Sequence, residues 1–459
     1  MADLPLRLVL SATGGQLSGA AAPAAFRGVS TDSRSPAPGS LFVALRGERF
    51  DGHDFVAEAL ARGAGGALVS VEVEGAGPLI IVPDTLLALG ALAAAHRAAL
   101  SPKVIAITGS TGKTSTKEMA AAILSQGWRT ARTPGNYNNE IGVPFALLDL
   151  DEACEAAVIE LAMRGKGQIR HLVQMARPQV GVITNIGVSH LELLGSREAI
   201  AEAKAELLVN LPEDGAAVLY ADDDYFSLLV ERSPCRVISF GQRPGADVTV
   251  SDVLVNQDGS TLFRLRAHWG EEEIRLSVGG RHQAMNAAAA AAAAVAVGAD
   301  PRWVAPGLAA SAGAERRSRI VRAPGGWTLI DDCYNAAPDS MRAALDLLVD
   351  IRGERKWAIL GDMRELGPLA PEWHREIGEL AASSGLSGLV TVGELARYIA
   401  EGASEFLGEG QVVQAAGNAE AAAALLGRLE PGDVVLVKGS RALKMEEIVE
   451  RLLGRGEEA

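Results

Sequence analysis

A chain of 459 residues, 48% hydrophobic and 22% charged, describes a globular protein with more than one core and excludes a disordered one. Its net charge of −14 argues against a general binder of nucleic acid or of an anionic membrane surface. The three cysteines, Cys154, Cys235 and Cys333, show neither C-x-x-C pairing nor metal-ligand spacing, which suits a reducing, cytoplasmic compartment.

The chain opens with MADLPLRLVLSATGG, which has no basic cluster ahead of a long apolar run, so no secretory segment is expected. Short apolar runs follow, GSLFVAL (39–45) and GGALVSV (65–71), and then a helical stretch, LLALGALAAAHRAAL. Ser101-Pro102 marks a boundary, giving a small N-terminal α/β domain over 1–100. From Lys103 strands and helices alternate: VIAIT, TSTKEMAAAILSQG, AAVIELA, QIRHLVQMA, VGVITNI, REAIAEAKAELLVNL. Apolar strands separated by helices predict a parallel sheet covered on both faces. Between about 246 and 278 the period changes to two, in ADVTVSDVLV, STLFRLRAHW and EEEIRLSV, which predicts antiparallel strands appended to that sheet. The alanine run AMNAAAAAAAAVAVG (284–298) is too short for a membrane span and reads as a tightly packed core helix closing a central domain, 101–312. The α/β rhythm then restarts with WTLIDDCY, KWAILGDM, GLVTVG and DVVLVKGS, a C-terminal Rossmann-like domain over 313–459 whose last residues, EEA, are expected to fray.

The stretch AITGSTGKTST (106–116) carries the first chemistry. The usual phosphate loop places a glycine six positions before its Lys-[Ser/Thr] pair, but Ile107 stands there and the nearest glycine is Gly109. The context supplies the rest: an apolar strand before, a helix after, and Gly109, Ser110, Thr111 and Gly112 between. Amide groups at a helix N-terminus favour phosphate oxygens, with Lys113 adding a mobile charge and Thr114 a hydroxyl for Mg²⁺. In open α/β sheets the ligand lies beyond the carboxyl ends of the strands, where Glu160 and His190 are expected. Singly, each has a plain reading, a surface carboxylate and a loop histidine. Together at that edge they could hold a second divalent ion against a γ-phosphate. Lys204, within EAIAEAKAELL, reads on its own as a solvated helix lysine paired at i,i+4.

The loop TGSTGKT (108–114) resembles the shortened phosphate loop of the Mur ligase family, the ATP-dependent amide-forming enzymes of peptidoglycan synthesis. Further resemblances are TPGNYNNEIGVP (133–144), TNIGVSHLELLGSREAIAEAK (184–204), DDCYNAAPDSM (331–341), LGDMRELG (360–367) and LVKGSR (436–441), so that the likeness runs from about 28 to 445. Within the family these motifs resemble the last of four successive ligases, which joins D-alanyl-D-alanine to UDP-N-acetylmuramoyl-tripeptide; the D-N-P-R signature of the preceding step is absent. Alternatives are a sibling Mur-type or folylpolyglutamate-type ligase, or a phosphate-loop ATPase without ligation. The resemblance implies a monomer that binds ATP and two Mg²⁺ ions, inserts into no membrane and binds no nucleic acid.

By the same resemblance, Lys113 and the loop through Ser115 would hold the phosphates. Thr114 would hold one Mg²⁺; Glu160, His190 and Lys204 would serve the other, with Lys204 carbamylated by CO₂. Asn286, with His282 nearby, would meet adenine, and Asp332, Tyr334 and Asn335 would face the nucleotide. ERRSR offers Arg316, Arg317 and Arg319 for the family's arginine, spacing favouring Arg317. STDSR and ALRGERFDGHDF imply UDP-substrate contacts from Ser30, Asp32, Ser33, Arg34, Arg46, Gly47, Asp51, Gly52 and His53, and NYNNEIG implies contacts from Asn136, Asn138 and Asn139. Two departures stand out. The family's E-x-G and G-E-I are here Glu160-Leu161-Ala162 and Gly167-Gln168-Ile169, and YNANP is YNAAP with Ala337.

Overall fold

The computed structural model describes residues 3–19, 21–74 and 77–454; the terminal EEA lies outside them. Among the described residues three large sheets organise the chain, beside a two-stranded antiparallel pair, Asp3–Pro5 with Ala25–Arg27. The first has five strands in the order Gln16–Ser18, Leu79–Ile81, Gly66–Val69, Leu41–Val43, Val29–Ser30, parallel except for the antiparallel edge strand Gln16–Ser18. The helix Thr85–Ala99 follows, started by Asp84, whose carboxylate accepts the amides of Leu86 and Leu87.

The central sheet has nine strands. Lys103–Thr108 lies between Ala156–Glu160 and Val180–Ile183, parallel to both. All three are buried along nearly their whole length, as expected of strands covered on both faces. After Lys103–Thr108 the chain first builds one flank, Thr130–Arg132 and Ala156–Glu160, then crosses to the other. The carboxyl end of Lys103–Thr108 is therefore a topological switch point, where open α/β sheets form their crevice. Three strands of this sheet escape the sequence reading: Thr130–Arg132, Ala216–Tyr220 and Arg236–Gly241. The appended strands Val248–Val255, Thr261–Ala267 and Gly270–Leu276 pair antiparallel with each other, but the first joins the sheet in parallel, through Phe240 and Gly241.

The alanine helix runs Arg281–Ala296, with Ala287 to Ala294 all buried. It packs on the helix Lys113–Leu124 and on the sheet beneath. Methyl-sized side chains let two helices and a sheet approach closely, which accounts for the run of alanines. The helix Val304–Ala310 also lies on Lys113–Leu124. At Gly307 an added Cβ would come within 2.4 Å of Ile123 Cα and 2.8 Å of its backbone nitrogen. Glycine to alanine inside a helix ordinarily gains up to about 1 kcal/mol, but a clash with backbone cannot relax by rotamer change. Gly307→Ala is therefore expected to destabilise by roughly 1–3 kcal/mol, read as a lower denaturant midpoint at unchanged slope.

The third sheet has six strands, Arg319–Arg322, Thr328–Asp331, Val434–Lys438, Lys356–Gly361, Gly388–Val392 and Val412–Ala415. All pair in parallel except Arg319–Arg322, which joins as an antiparallel edge; this strand and the opposite edge, Val412–Ala415, are the two that sequence reading missed. Both edges are half exposed and carry no continuous apolar run.

Candidate active site

The phosphate loop has the backbone its glycines predict. Gly109 and Gly112 have φ of 146° and 79°, which L side chains rarely adopt. A Cβ at Gly109 would also meet Thr184 Oγ1 at 1.9 Å, and one at Gly112 would meet Asn286 Oδ1 at 2.4 Å. The loop is clamped from the neighbouring strand end. Asn185 Oδ1 accepts the Thr111 amide at 3.0 Å, its Nδ2 donates to Thr111 Oγ1 at 2.7 Å, and Thr184 Oγ1 donates to the Thr111 carbonyl at 2.5 Å. Neither residue is singled out in the sequence, although both stand in the TNIG stretch.

Lys113 opens the helix and donates to the carbonyls of Gly109 (2.7 Å) and Ser110 (3.2 Å). Burial lowers its pKa to about 8, opposed by the charge of Glu160 and helped by that of Arg317. Lys204 is 2% exposed, so the solvated-face reading fails. Its pKa falls well below the usual lysine value, first through burial and then through the charge of Lys113. Among the described residues its amine has no hydrogen bond or ion pair. These mutual influences gather Glu160, Lys204 and Arg317 around Lys113.

Glu160 is 2% exposed at the end of its strand. Its Oε1 accepts from Asn138 Nδ2 at 2.8 Å, and its amide donates to Thr133 Oγ1 at 2.9 Å. Oε2 is buried, has no hydrogen-bond partner, and is 3.7 Å from the buried ammonium of Lys117. Lys117, which sequence reading passed over, also donates to the carbonyl of Thr133 at 2.8 Å. Among the described residues no three His, Cys, Asp or Glu side chains converge. Mg²⁺ does not need such a cage, since one or two carboxylates with substrate phosphates and water complete its octahedron. A carboxylate oxygen without a hydrogen bond on the strand next to the phosphate loop, and the Thr114 hydroxyl lining the loop's cavity, fit that ion.

His190 adopts φ +68° and directs Nδ1 to Glu365 Oε2 at 2.5 Å. Glu365 also pairs with Arg164 at 3.0 Å, and these partners, His190 first, hold its carboxyl down at about 2. Of the two departures from the family pattern, Gln168 has a local use, while at Ala337 only the backbone is engaged. Gln168 Oε1 accepts the amides of Arg164 and Gly165 just before its own helix, and Ser340 Oγ binds both the amide and the carbonyl of Ala337 at the start of Pro338–Asp350.

A cavity of about 290 Å³ joins the phosphate loop to the C-terminal domain. Asn286 lines it, held by Gln283 Oε1 at 3.0 Å, with His282 beside it pushed by burial to about 4. Across the cavity, Asp332 is fixed on both oxygens, by the Ser318 amide (3.0 Å) and by the buried Lys438 (2.6 Å), which also donates to the Asn335 carbonyl. Arg317 lies over the Tyr334 ring at 4.4 Å and lines the cavity; Arg316 instead pairs with Glu446 at 2.9 Å, and Arg319 is exposed on an edge strand.

The N-terminal candidates mostly bond to one another. Arg34 grips Asp32 with two nitrogens, lowering that carboxyl to about 2, and Ser30 Oγ accepts the Asp32 amide. Ser33 donates to Glu58, Arg46 pairs with Asp51 at 3.2 Å, and the Gly47 amide reaches the Phe50 carbonyl. Gly52 passes so close to Leu45 that a Cβ would meet its backbone at 2.8 Å. His53 is buried with both ring nitrogens engaged, Nδ1 on Asp51 and Nε2 accepting from the Ser70 amide at 2.8 Å. Of the asparagines, Asn138 is drawn to Glu160, Asn139 caps the turn before Gly142–Leu148 through the amides of Ile141 and Gly142, and Asn136 is exposed.

Fold and cavity define a three-domain α/β protein built around a phosphate loop, with its cleft closed by a second α/β domain. Three family models match it in succession: Mur ligase family, catalytic domain (25–122), Mur ligase middle domain (107–294) and Mur ligase, glutamate ligase domain (316–441). The chain belongs to the Mur ligase family. It is 38% identical over 430 residues to the UDP-N-acetylmuramoyl-tripeptide--D-alanyl-D-alanine ligase of Bacillus subtilis, covering 93% of each chain. The crystal structure of MurF from Acinetobacter baumannii superposes with a TM-score of 0.92 at 34% identity over 99% of both chains. The MurF ligase from Thermotoga maritima in complex with ADP gives 0.84 at 30% identity, over 94% of this chain and 98% of that one.

Proposed function

We propose that this protein is an ATP-dependent ligase that joins D-alanyl-D-alanine to UDP-N-acetylmuramoyl-tripeptide, giving the UDP-pentapeptide, ADP and phosphate. The observation that carries the chemistry is the phosphate loop facing a two-domain cavity, with the buried Glu160 carboxylate, one oxygen of which makes no hydrogen bond, at the end of the adjacent strand. The choice of substrates rests on relatives of that name aligned along almost the whole chain, rather than on the sibling, folate-type or simple ATPase alternatives. ATP as the nucleotide is supported by the ADP complex of the Thermotoga relative.

The terminal carboxylate of the tripeptide attacks the γ-phosphorus, and the bond to the β-bridging oxygen breaks to release ADP. The amine of the dipeptide then attacks the acyl carbon, its proton is lost, and phosphate departs from the tetrahedral intermediate. Lys113 and the loop amides hold the phosphates and offset the repulsion between carboxylate and triphosphate, the main electrostatic obstacle. Thr114, Glu160 and His190, with a carbamylated Lys204, would hold two Mg²⁺ ions, which when bound supply further charge neutralisation. Asn286 and Arg317 flank the nucleoside end of the cavity, and Asp332, Tyr334 and Asn335 form its far wall. Closure of the C-terminal domain shields the acyl phosphate from water.

We assign the UDP-substrate to the domain at 1–100, ATP to 101–312, and the dipeptide to 313–459. The UDP contacts rest on the exposed pair Asp32 and Arg34 more than on His53, whose ring is already engaged. Among the described residues no helix is long and apolar enough to cross a membrane. We place the protein in the cytoplasm, as a monomer.

The mechanism is tested with tripeptide substrate labelled with ¹⁸O in its terminal carboxylate. Phosphate carrying one labelled oxygen for each pentapeptide formed is the expected result. Unlabelled phosphate would exclude the acyl phosphate.

A further inference from the structure

The loop that carries His190 is held from two sides. Toward the phosphate loop, the Gly187 amide donates to Ser110 Oγ at 2.9 Å and Ser189 Oγ donates to the Ser110 carbonyl at 3.4 Å. Toward the C-terminal domain, Val188 is buried in that domain's core together with Ala336, Met341 and Leu366, and Leu191 packs against the same cluster. The fit is close: a Cβ on Gly187 would strike Asp339 Oδ2 at 2.0 Å, and one on Gly367 would come within 3.2 Å of Glu192 Cα.

At the centre of this contact the Glu192 amide donates to the Glu365 carbonyl at 3.2 Å, while the Glu365 side chain meets His190 Nδ1 and Arg164. His190 and Glu365, neither a glycine, both have positive φ, 68° and 63°, in the left-handed region that favours glycine. Non-glycine residues hold such conformations only where their surroundings over-determine them. An ionised carboxylate can only accept, so Nδ1 carries an N–H, and in the neutral ring the lone pair is then on Nε2. Among the described residues Nε2 has no partner.

We propose that Glu365 is a positioning residue, delivered by the C-terminal domain, that fixes the tautomer and ring orientation of His190 so that the metal-facing nitrogen is presented only when that domain is docked. This rests on the ligase reading above. Docking of the domain proposed to carry the amine substrate would then complete the divalent-ion site proposed at the phosphate loop, tying activation of the carboxylate to readiness for its capture. A histidine that ligates a metal usually donates its other N–H to such a carboxylate, and removing that partner costs about 10–100-fold in metal affinity or activity.

The test uses the full chain labelled with ¹⁵N-histidine, with the His190 signals identified from their loss in His190→Gln. The wild-type spectrum is expected to show the Nδ1–H tautomer, and Glu365→Ala a shift toward Nε2–H. In parallel, Glu365→Ala is expected to raise the Mg²⁺ concentration for half-maximal rate about 10–100-fold, with the effect of Glu365→Gln smaller because its amide oxygen can still accept from Nδ1. A merely structural glutamate would lower the unfolding midpoint and leave both readouts in place. An unchanged His190 tautomer in Glu365→Ala, an unchanged Mg²⁺ requirement in that variant, or a Glu365→Gln effect as large as that of Glu365→Ala overturns the proposal. The spectra need no turnover, so a wild type that formed no pentapeptide would count against the ligase reading while the His190 result stood by itself.

Discussion

Lys204→Ala is expected to lose at least about 10²-fold in kcat, and Lys204→Arg to lose as much, because neither side chain can form a carbamate. The amine is buried, lowered well below its usual pKa, and free of hydrogen bonds or ion pairs among the described residues. Burial disfavours the ammonium and favours the free amine, which is the form nucleophilic toward CO₂. Carbamylation would turn an unfavourable second cation beside Lys113 into an anion, at the place where divalent ions must be held against phosphates. Arginine would instead bury an obligate cation there. Formate or acetate added to Lys204→Ala is expected to restore part of the rate by occupying the vacated space as a carboxylate. Initial rates of phosphate release at saturating substrates check this; an active Lys204→Arg would end the carbamate proposal.

Lys113→Ala is expected to lower kcat/KM for ATP by about 10³-fold, on the order of 4 kcal/mol, because a preorganised charge at the transferred phosphate is removed. The same lysine gives a pH signature. In the free protein it titrates at about 8, lowered by burial, and phosphate oxygens beside it raise that value. The complex then binds more protons than the free protein above about pH 8, so nucleotide binding takes up a proton there and affinity falls as pH rises. Below that pH the lysine is protonated in both states and this contribution is flat. Titration calorimetry at pH 8.5 in buffers of different ionisation enthalpy reads the proton uptake directly, and Lys113→Ala should abolish it. An uptake unchanged in the variant would assign the proton elsewhere.

The parts of the site legible in the sequence are those fixed by local backbone or by position on a strand. Gly109 and Gly112 carry the left-handed or strained φ of a phosphate loop, and Glu160 follows from the rule that ligands lie beyond strand ends. What stayed hidden depends on partners far apart in the chain. Asn185 clamps Thr111 from 74 residues away, Lys438 holds Asp332 from 106, and Glu365 meets His190 from 175. No periodicity reports such pairings. Lys204 shows the opposite failure: a glutamate-rich helix looks solvated in sequence, yet this position faces inward with Ala203 and Leu207. In the fold, most long apolar strands were legible, and three-residue and edge strands such as Thr130–Arg132 and Arg319–Arg322 lack enough pattern to be read, but the interior strands Ala216–Tyr220 and Arg236–Gly241 were missed as well. The N-terminal polar motifs were legible as motifs only. Their side chains bond mainly to each other, so residue type alone says little about which of them face a ligand.

The measurement that bears most directly on the central claim is phosphate release from ATP and Mg²⁺ in the presence of UDP-N-acetylmuramoyl-tripeptide, with and without D-alanyl-D-alanine, with product mass followed in the same tubes. Release that depends on the dipeptide, matched one to one by UDP-pentapeptide, is the predicted result. Release indifferent to the dipeptide, with no pentapeptide formed, would contradict it.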